Sequence, residues 1–575
     1  MILQALKEYY DRKAADPESG IAPLGWGWQP IPFVIHLSKE GAFWRIEDTR
    51  DGNKAKTFLV PILGESKGSG VKSNFPWENA EYIFGIPVKE DKKGVVSKRK
   101  EAFRKRLEEY ISEEWAKAIL IFLENIDSKK VNSKAIGEKY PKEWARIKKG
   151  DYLLFAIEGD PVTNIDSFRQ SYNLPTGDET ICLATGDRDT IKEIEPPIKG
   201  SGFFKRTPKE TIKTELHIVS FNKEAFTSFG KKQGFNAPIG QKTSFAYANA
   251  LNYLLRYDSR QKMQVGDATM VFWSERTDDF EDAFASFFAA PPKDNPDAQT
   301  EAVSALLRSP QTGVGSFSED ATRFYVLGLS PNAARLSVRF WHVGTVAEMA
   351  GRFRDYFSDL EIVHGPKEKD HLSLWRLLVS TAVQGKSENI APNLAGNVMR
   401  SILEGLPFPE TLLQSVLMRI KADHGISYPR AKLIKGFLNR KWRMNNPNQE
   451  RMLTVSLNTE NNNIGYRLGR LFAVLERVQE SANPGINATI KDRFYAAASS
   501  APVTVFGNLM RLAQNHLSKL GKEKPGYRIN LEKLLQEVLE EIVEFPAHLS
   551  LDAQGQFAIG YYHQRQSFFD KKDGE

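Results

Sequence analysis

The chain has 575 residues, 41% of them apolar, a net charge of +7 and one cysteine, Cys182. That is too long for one ordinary domain, and the apolar content is enough for sizeable cores and excludes global disorder. One cysteine excludes a disulfide framework or a cysteine-ligated zinc site within the chain and suits a reducing cytoplasm. No apolar run reaches about 18 residues, so no membrane span is expected.

In chain order, MILQALKEYYDRKAA reads as a short amphipathic helix and not a signal peptide, because charges begin at Lys7. Residues up to about 85 then read as β-rich: WGWQPIPFVIHL, GAFWRIED and KTFLVPIL follow at short spacing, with Asp51-Gly52 as a turn. Residues 97–124 are predicted as one helix capped by Ser97, with Phe103, Leu107, Tyr110, Ile111, Trp115 and Ile119 at helical spacing. GDYLLFAIEG, TICLATG, LHIVSFN and DATMVFWS read as strands. Residues 275–320, acidic and then rich in Pro, Asp and Asn, read as an insertion, partly helical and partly mobile. TRFYVLGLSPNAARLSVRFWHVG predicts two strands around a Ser-Pro-Asn turn.

Beyond residue 385 strand signals almost vanish. Seven helical segments follow, the clearest with Ile464, Leu468, Leu471, Phe472, Leu475 and Val478 at intervals of three and four. GQFAIGYYHQR reads as a short closing tail. The expected class is α+β: a mixed α/β domain over residues 1–385, with 275–320 inserted, then an all-α helical bundle over 386–575.

Catalytic signals are poor. The nine histidines show no zinc-binding spacing, no phosphate-binding loop leads to a Lys-Ser or Lys-Thr pair, and His217 and Cys182 lie in apolar stretches. No cofactor or metal is expected. Asp278, Asp279 and Glu281 keep open the alternative of a metal-dependent nuclease, set against the reading of their acidic run as a solvated face.

Nucleic-acid signals are better. FGKKQGFNAPIGQKTSFAYANALNYLL, residues 229–255, contains no acidic residue. Lys231 and Lys232 can neutralise phosphates, and Gln233 and Asn236 can donate and accept at a base edge. Gly230 and Gly234 let a backbone approach closely. Lys72, Ser73 and Asn74 form a second glycine-flanked candidate. Both loops are candidates for reading DNA sequence, the first set against a plain surface turn of the same composition. Lys242, Arg335 and Arg339 are candidates for backbone phosphates; the two arginines, four apart on a strand, share a face. Segment 419–443 holds eight Lys or Arg against one Asp. Arg419, Lys421, Arg430, Lys432 and Arg440 therefore define a candidate basic face, set against an ordinary solvated helix surface.

Ten segments together resemble one family: NAEYIFG (79–85), CLATGD (182–187), IKG (198–200), SFN (220–222), SFGKKQGFNAP (228–238), ANALNYLL (248–255), ARLSVRFW (334–341), RIKAD (419–423), LGRLFAVLERVQESA (468–482) and FAIGYYHQ (557–564). The chain resembles the large subunit of the type I-C CRISPR surveillance complex (Cascade), the Csd family of the Dvulg subtype. The resemblance implies a non-catalytic subunit that recognises the protospacer-adjacent motif in duplex DNA, assists duplex opening, contacts the displaced strand and helps recruit a helicase-nuclease. The implied partners are the crRNA, the Cascade subunits that carry it, and a helical small subunit made by internal translation of the same message. Met452 is the preferred start, ahead of Met444 and Met418. In such a complex guide pairing reads most of the sequence, and protein side chains read only a short motif. The basic bundle face is then the candidate track for the displaced strand. A purely structural scaffold is the remaining alternative.

Overall fold

A computed structural model describes residues 1–569 apart from 63–70, 72, 92–93, 132, 173, 175–176, 199–204, 208–209, 212–215, 222, 257, 266–267, 278–279, 289–319, 333–334, 387–388, 448 and 450–451. It is a mixed α+β chain with a helical C-terminal region. Two compact units divide it: Met1–Tyr257 with Pro331–Ser337, and Asp258–Ser330 with Val338–Glu575.

In the first unit, strands Phe43–Asp48, Phe33–Leu37, Leu153–Ile157 and Trp77–Glu78 lie side by side in that order. Phe33–Leu37 and Leu153–Ile157 run parallel, and every residue of both is buried. Continuous apolar sequence is what a strand covered on both faces requires. Residues 97–124 are two helices, Val95–Glu108 and Glu114–Asp127, and not one. The break has a packing reason. Tyr110 and Trp115 flank it, and both rings reach Phe168, with centroids at 5.8 and 5.3 Å. Ser97 does not cap the helix. Asp91 does, accepting from the Val95 and Val96 amides at 2.9 and 3.1 Å. Helix Ile2–Ala14 buries Leu6, Tyr9 and Tyr10 along helix Gln241–Leu254, with Tyr10 edge-on to Phe245 at 5.8 Å. Leu216–Phe221, the described part of LHIVSFN, forms no strand. Leu216 and His217 make single bridges to Ile198 and Arg335, and the chain then bends.

Strands Lys262–Val265, Ala268–Ser274, Arg323–Asn332 and Arg335–Thr345 make a four-stranded sheet, all of it but Pro331–Ser337 in the second unit. Ser330, Pro331 and Asn332, expected as the turn, instead end the third of these strands; residues 333–334, which lead to the fourth, lie outside the described residues. Phe272, Phe280, Phe284, Phe324 and Phe353 bind this sheet to helix Val346–Leu360, in one apolar core continuous with the C-terminal helices. That continuity explains why the division comes at residue 257 and not at 385. It also makes the start of the expected insertion a core element, because helix Phe280–Phe288 buries Phe280 and Phe284. The rest of the insertion, 289–319, lies outside the described residues.

The expected closing tail is the centre of the bundle. Helix Leu551–Ser567 buries Phe557 through Gln564 without interruption and packs along helix Ile464–Ala482. A helix apolar on only one face would have been amphipathic; this one is covered all round.

Candidate nucleic-acid interface

The loop at 228–240 is built as a rigid device. Phe229 and Gly230 sit at positive φ, 50° and 72°. The Lys231 amide closes the turn by donating to Ser228 O at 2.9 Å. Two central residues at positive φ match a type I′ turn. Glycine adopts that φ freely, whereas a residue with a Cβ loses about 1–2 kcal/mol there. Gln233–Asn236 then form one 3-10 turn. The Gly234 amide donates to Glu193 O at 2.9 Å, and a Cβ at Gly234 would lie 2.1 Å from Lys192 O. Gly234 therefore seats the loop on its own unit, and is not the point of approach to a nucleic acid that its sequence position suggested.

Asn236 is the clamp. Its Oδ1 accepts from the Ser228 amide, and its Nδ2 donates to Lys231 O and Gln233 O, all at 2.9 Å. Both amide hydrogens and the oxygen are engaged inside the loop, so the expected base-edge role of Asn236 is corrected to a structural one. Lys231, Lys232 and Gln233 are exposed. Neither lysine is ion-paired to a carboxylate among the described residues, so the charge expected there is presented outwards. Lys242 is also exposed, on the first turn of helix Gln241–Leu254 directly after the loop; its amide donates to Asp189 Oδ2 at 2.9 Å. Beneath the helix, Tyr247 Oη donates to Glu195 Oε2 at 2.8 Å, and burial raises Glu195 to about 7.

The other candidate loop is different. Lys72 lies outside the described residues. Ser73 and Asn74 are buried; Ser73 Oγ donates to Asn74 O at 2.8 Å, and the Asn74 amide donates to Glu78 Oε1 at 3.0 Å. These two side chains are not presented to a groove. Nearby, a cleft of about 550 Å³ is lined by charges of both signs, among them Glu81, Lys89, Asp91, Arg99 and Lys149.

Arg335 and Arg339 share one strand. The Arg335 guanidinium lies 4.5 Å from the centre of the Phe226 ring, and Arg339 Nη2 donates to Ser330 Oγ at 3.2 Å.

The five bundle cations do not form one basic face. Arg419 and Arg430 both pair with Asp423. Lys421 Nζ donates to Gln554 Oε1 at 2.9 Å. Lys432 is only 3% exposed; its Nζ donates to Asp370 O at 2.7 Å, and burial lowers it to about 8. Arg440, 2% exposed, donates to Ser401 O and Leu406 O and is pushed down to about 10, chiefly by burial. Helix Tyr428–Asn445 is buried from Ala431 through Arg440. Its cations therefore fasten the fold: Arg440 ties the Ser401 carbonyl, in the last turn of helix Pro392–Glu404, to the Leu406 carbonyl just beyond it.

Among the described residues the acidic run shows no assembled metal site. Asp278 and Asp279 lie outside the described residues. Glu281 uses both carboxylate oxygens, accepting from the Ser274 amide at 2.7 Å and Gln261 Nε2 at 2.8 Å. Among the described residues, no three His, Cys, Asp or Glu side chains gather as metal ligands. No helix among them is long and apolar enough to cross a membrane.

The family model described as CRISPR-associated protein (Cas_Csd1) matches residues 6–569. The chain belongs to the Cas_Csd1 family. No curated protein matches it. Membership makes this a CRISPR-associated protein and supports its identification as a Csd-family large subunit of a Cascade complex. The segments that carried the resemblance now divide by role. In this Cas_Csd1 chain LGRLFAVLERVQESA and FAIGYYHQ are buried helix faces, whereas SFGKKQGFNAP is the exposed, clamped loop. Phe229, the exposed residue at the tip of that loop, is absent from the sequence-based candidates. Its one local signal is a large apolar residue where a Phe-Gly turn takes positive φ.

Proposed function

We propose that this subunit reads the protospacer-adjacent motif in duplex DNA for a type I-C RNA-guided complex, and that it does so without catalysing a reaction. The observation that carries the reading is the loop at 228–236, which holds Lys231, Lys232 and Gln233 outwards on a backbone fixed by Asn236 and Gly234. A fixed loop can place two cations on phosphates and one amide at a base edge at little ordering cost on binding. Lys242, next in the chain, extends the candidate track for phosphates. Duplex opening, contact with the displaced strand, pairing with crRNA-bearing subunits and recruitment of a helicase-nuclease follow from the family resemblance, and no bundle residue is assigned to them. A small subunit starting at Met452 would lack helix Tyr428–Asn445, which covers Gly555 with Ile434 and Leu438, so that face would need a new partner. The nuclease alternative loses support because Glu281 already serves two main-chain and side-chain donors.

Lys231→Ala with Lys232→Ala, in the assembled complex, is expected to weaken target binding and to reduce the slope of log affinity against log salt by up to about two units. An unchanged slope in an intact complex removes this loop from the DNA site.

Gln233→Ala is expected to reduce discrimination among motif variants by about 1–3 kcal/mol while leaving general DNA binding nearly intact. Asn236→Ala, which unclamps the loop, should weaken binding to all variants alike. Binding across a panel of motif variants separates the two; equal losses for Gln233→Ala would make Gln233 a positioning residue.

A further inference from the structure

Phe229 is 96% exposed, at positive φ, on the tip of a turn held by four hydrogen bonds, one from the Lys231 amide to Ser228 O and three at Asn236's amide group. Among the described residues the ring is almost wholly exposed, and its backbone conformation is one that glycine or asparagine would hold more cheaply. An observed outlier of this kind is grounds for assigning it a role. Its surroundings specify the partner. Lys231 and Lys232 follow directly, both exposed, and no acidic residue occurs between Ala225 and Leu255. A single flat ring projecting from a rigid basic turn matches the stacking elements of nucleic-acid sites, where cations hold the backbone and an aromatic ring takes a base face.

We propose that Phe229 stacks on a nucleobase of the target beside the recognised motif, where the turn meets DNA. This rests on the reading of the loop as the DNA-contacting element and adds the contact that turns phosphate binding into local unstacking. Any base offers a π-face, so the contact carries little sequence information. Motif discrimination stays with Gln233, and Phe229 supplies affinity for the opened state.

The test uses the assembled complex with the full chain. Phe229→Ala is expected to lower affinity for the motif-bearing target by about 5- to 150-fold, the range for loss of one stacked base. Its salt slope should stay unchanged, because no phosphate contact is lost. Phe229→Trp should retain wild-type affinity or exceed it. With p-benzoylphenylalanine at position 229, irradiation should cross-link the chain to DNA bases next to the motif. Wild-type affinity for Phe229→Ala, with weakened binding by the Lys231→Ala, Lys232→Ala double variant, overturns the Phe229 role and leaves the loop reading standing. Wild-type behaviour of both variants overturns the loop reading itself. Cross-linking only to another protein subunit, or loss of the chain from the complex on Phe229→Ala, overturns the stacking role and makes the ring a subunit contact.

Discussion

Gly469→Ala is expected to destabilise the second unit by about 3 kcal/mol, against the gain of about 1 kcal/mol that the same change brings to an open helix. The added methyl would lie 2.0 Å from Phe557 O and 2.8 Å from the Tyr561 amide nitrogen. These are main-chain atoms of a helix, so no rotamer change relieves the clash. Gly465 meets Ala553 O at 2.4 Å and Gly560 meets Tyr466 O at 2.0 Å in the same way, so helices Ile464–Ala482 and Leu551–Ser567 touch backbone to backbone at three points. Pushing them apart also loosens the ring cluster of Phe472, Phe557 and Tyr561, whose centroids lie within 6.0 Å of Phe472. A Cβ on Gly396, in helix Pro392–Glu404, would meet nothing within 4 Å among the described residues, so Gly396→Ala should be neutral or slightly stabilising. Thermal unfolding midpoints of the three purified chains decide the matter. Equal midpoints for Gly469→Ala and wild type would show that the helices separate without loss.

The second unit should also lose stability in mild acid through His563. The ring is buried, and its Nδ1 lies 2.9 Å from Tyr466 Oη. That hydroxyl accepts from the Asn458 amide at 3.1 Å, so its own hydrogen is available for Nδ1 of a neutral ring. Burial, reinforced by the Lys435 charge and partly offset by a main-chain contact at Val455, lowers His563 to about 3. The unfolded chain titrates near the ordinary value, so below about 6.5 it binds the proton that the folded ring refuses. The stabilisation is complete above pH 6.5 and falls as pH drops towards 3, by roughly 2 kcal/mol at pH 5. His563→Gln keeps an acceptor for Tyr466 and removes the titration. Denaturant midpoints at pH 7 and pH 5 should therefore fall more for wild type than for the variant; parallel falls would mean that the ring protonates in place.

The helix Ile464–Ala482 was legible because its information is local. Asn463 accepts from the Gly465 and Tyr466 amides, and the apolar stripe begins at the next residue. Strands Phe33–Leu37 and Leu153–Ile157 announced themselves as short apolar runs for the same reason. The charge of the loop at 229–236 was likewise plain, because a stretch free of acids needs no neighbours to be basic. Its geometry was not: whether Asn236 faces a base or the loop's own amides depends on how the chain folds back.

By itself the sequence determined the alternation of elements, the mixed and then helical character, the basic loop and, through segments spread along the chain, the family. Only the tertiary structure decided which cations are surface and which are fasteners, that Ser73 and Asn74 are buried, that the last helix is the core of the bundle, and that Phe229 projects from the turn. Periodicity, capping and composition act within a few residues of each other. Burial and hydrogen-bond partnership are sums over neighbours distant in the chain, and the eight cations at 419–443 read the same in sequence whether water or carbonyl oxygens surround them.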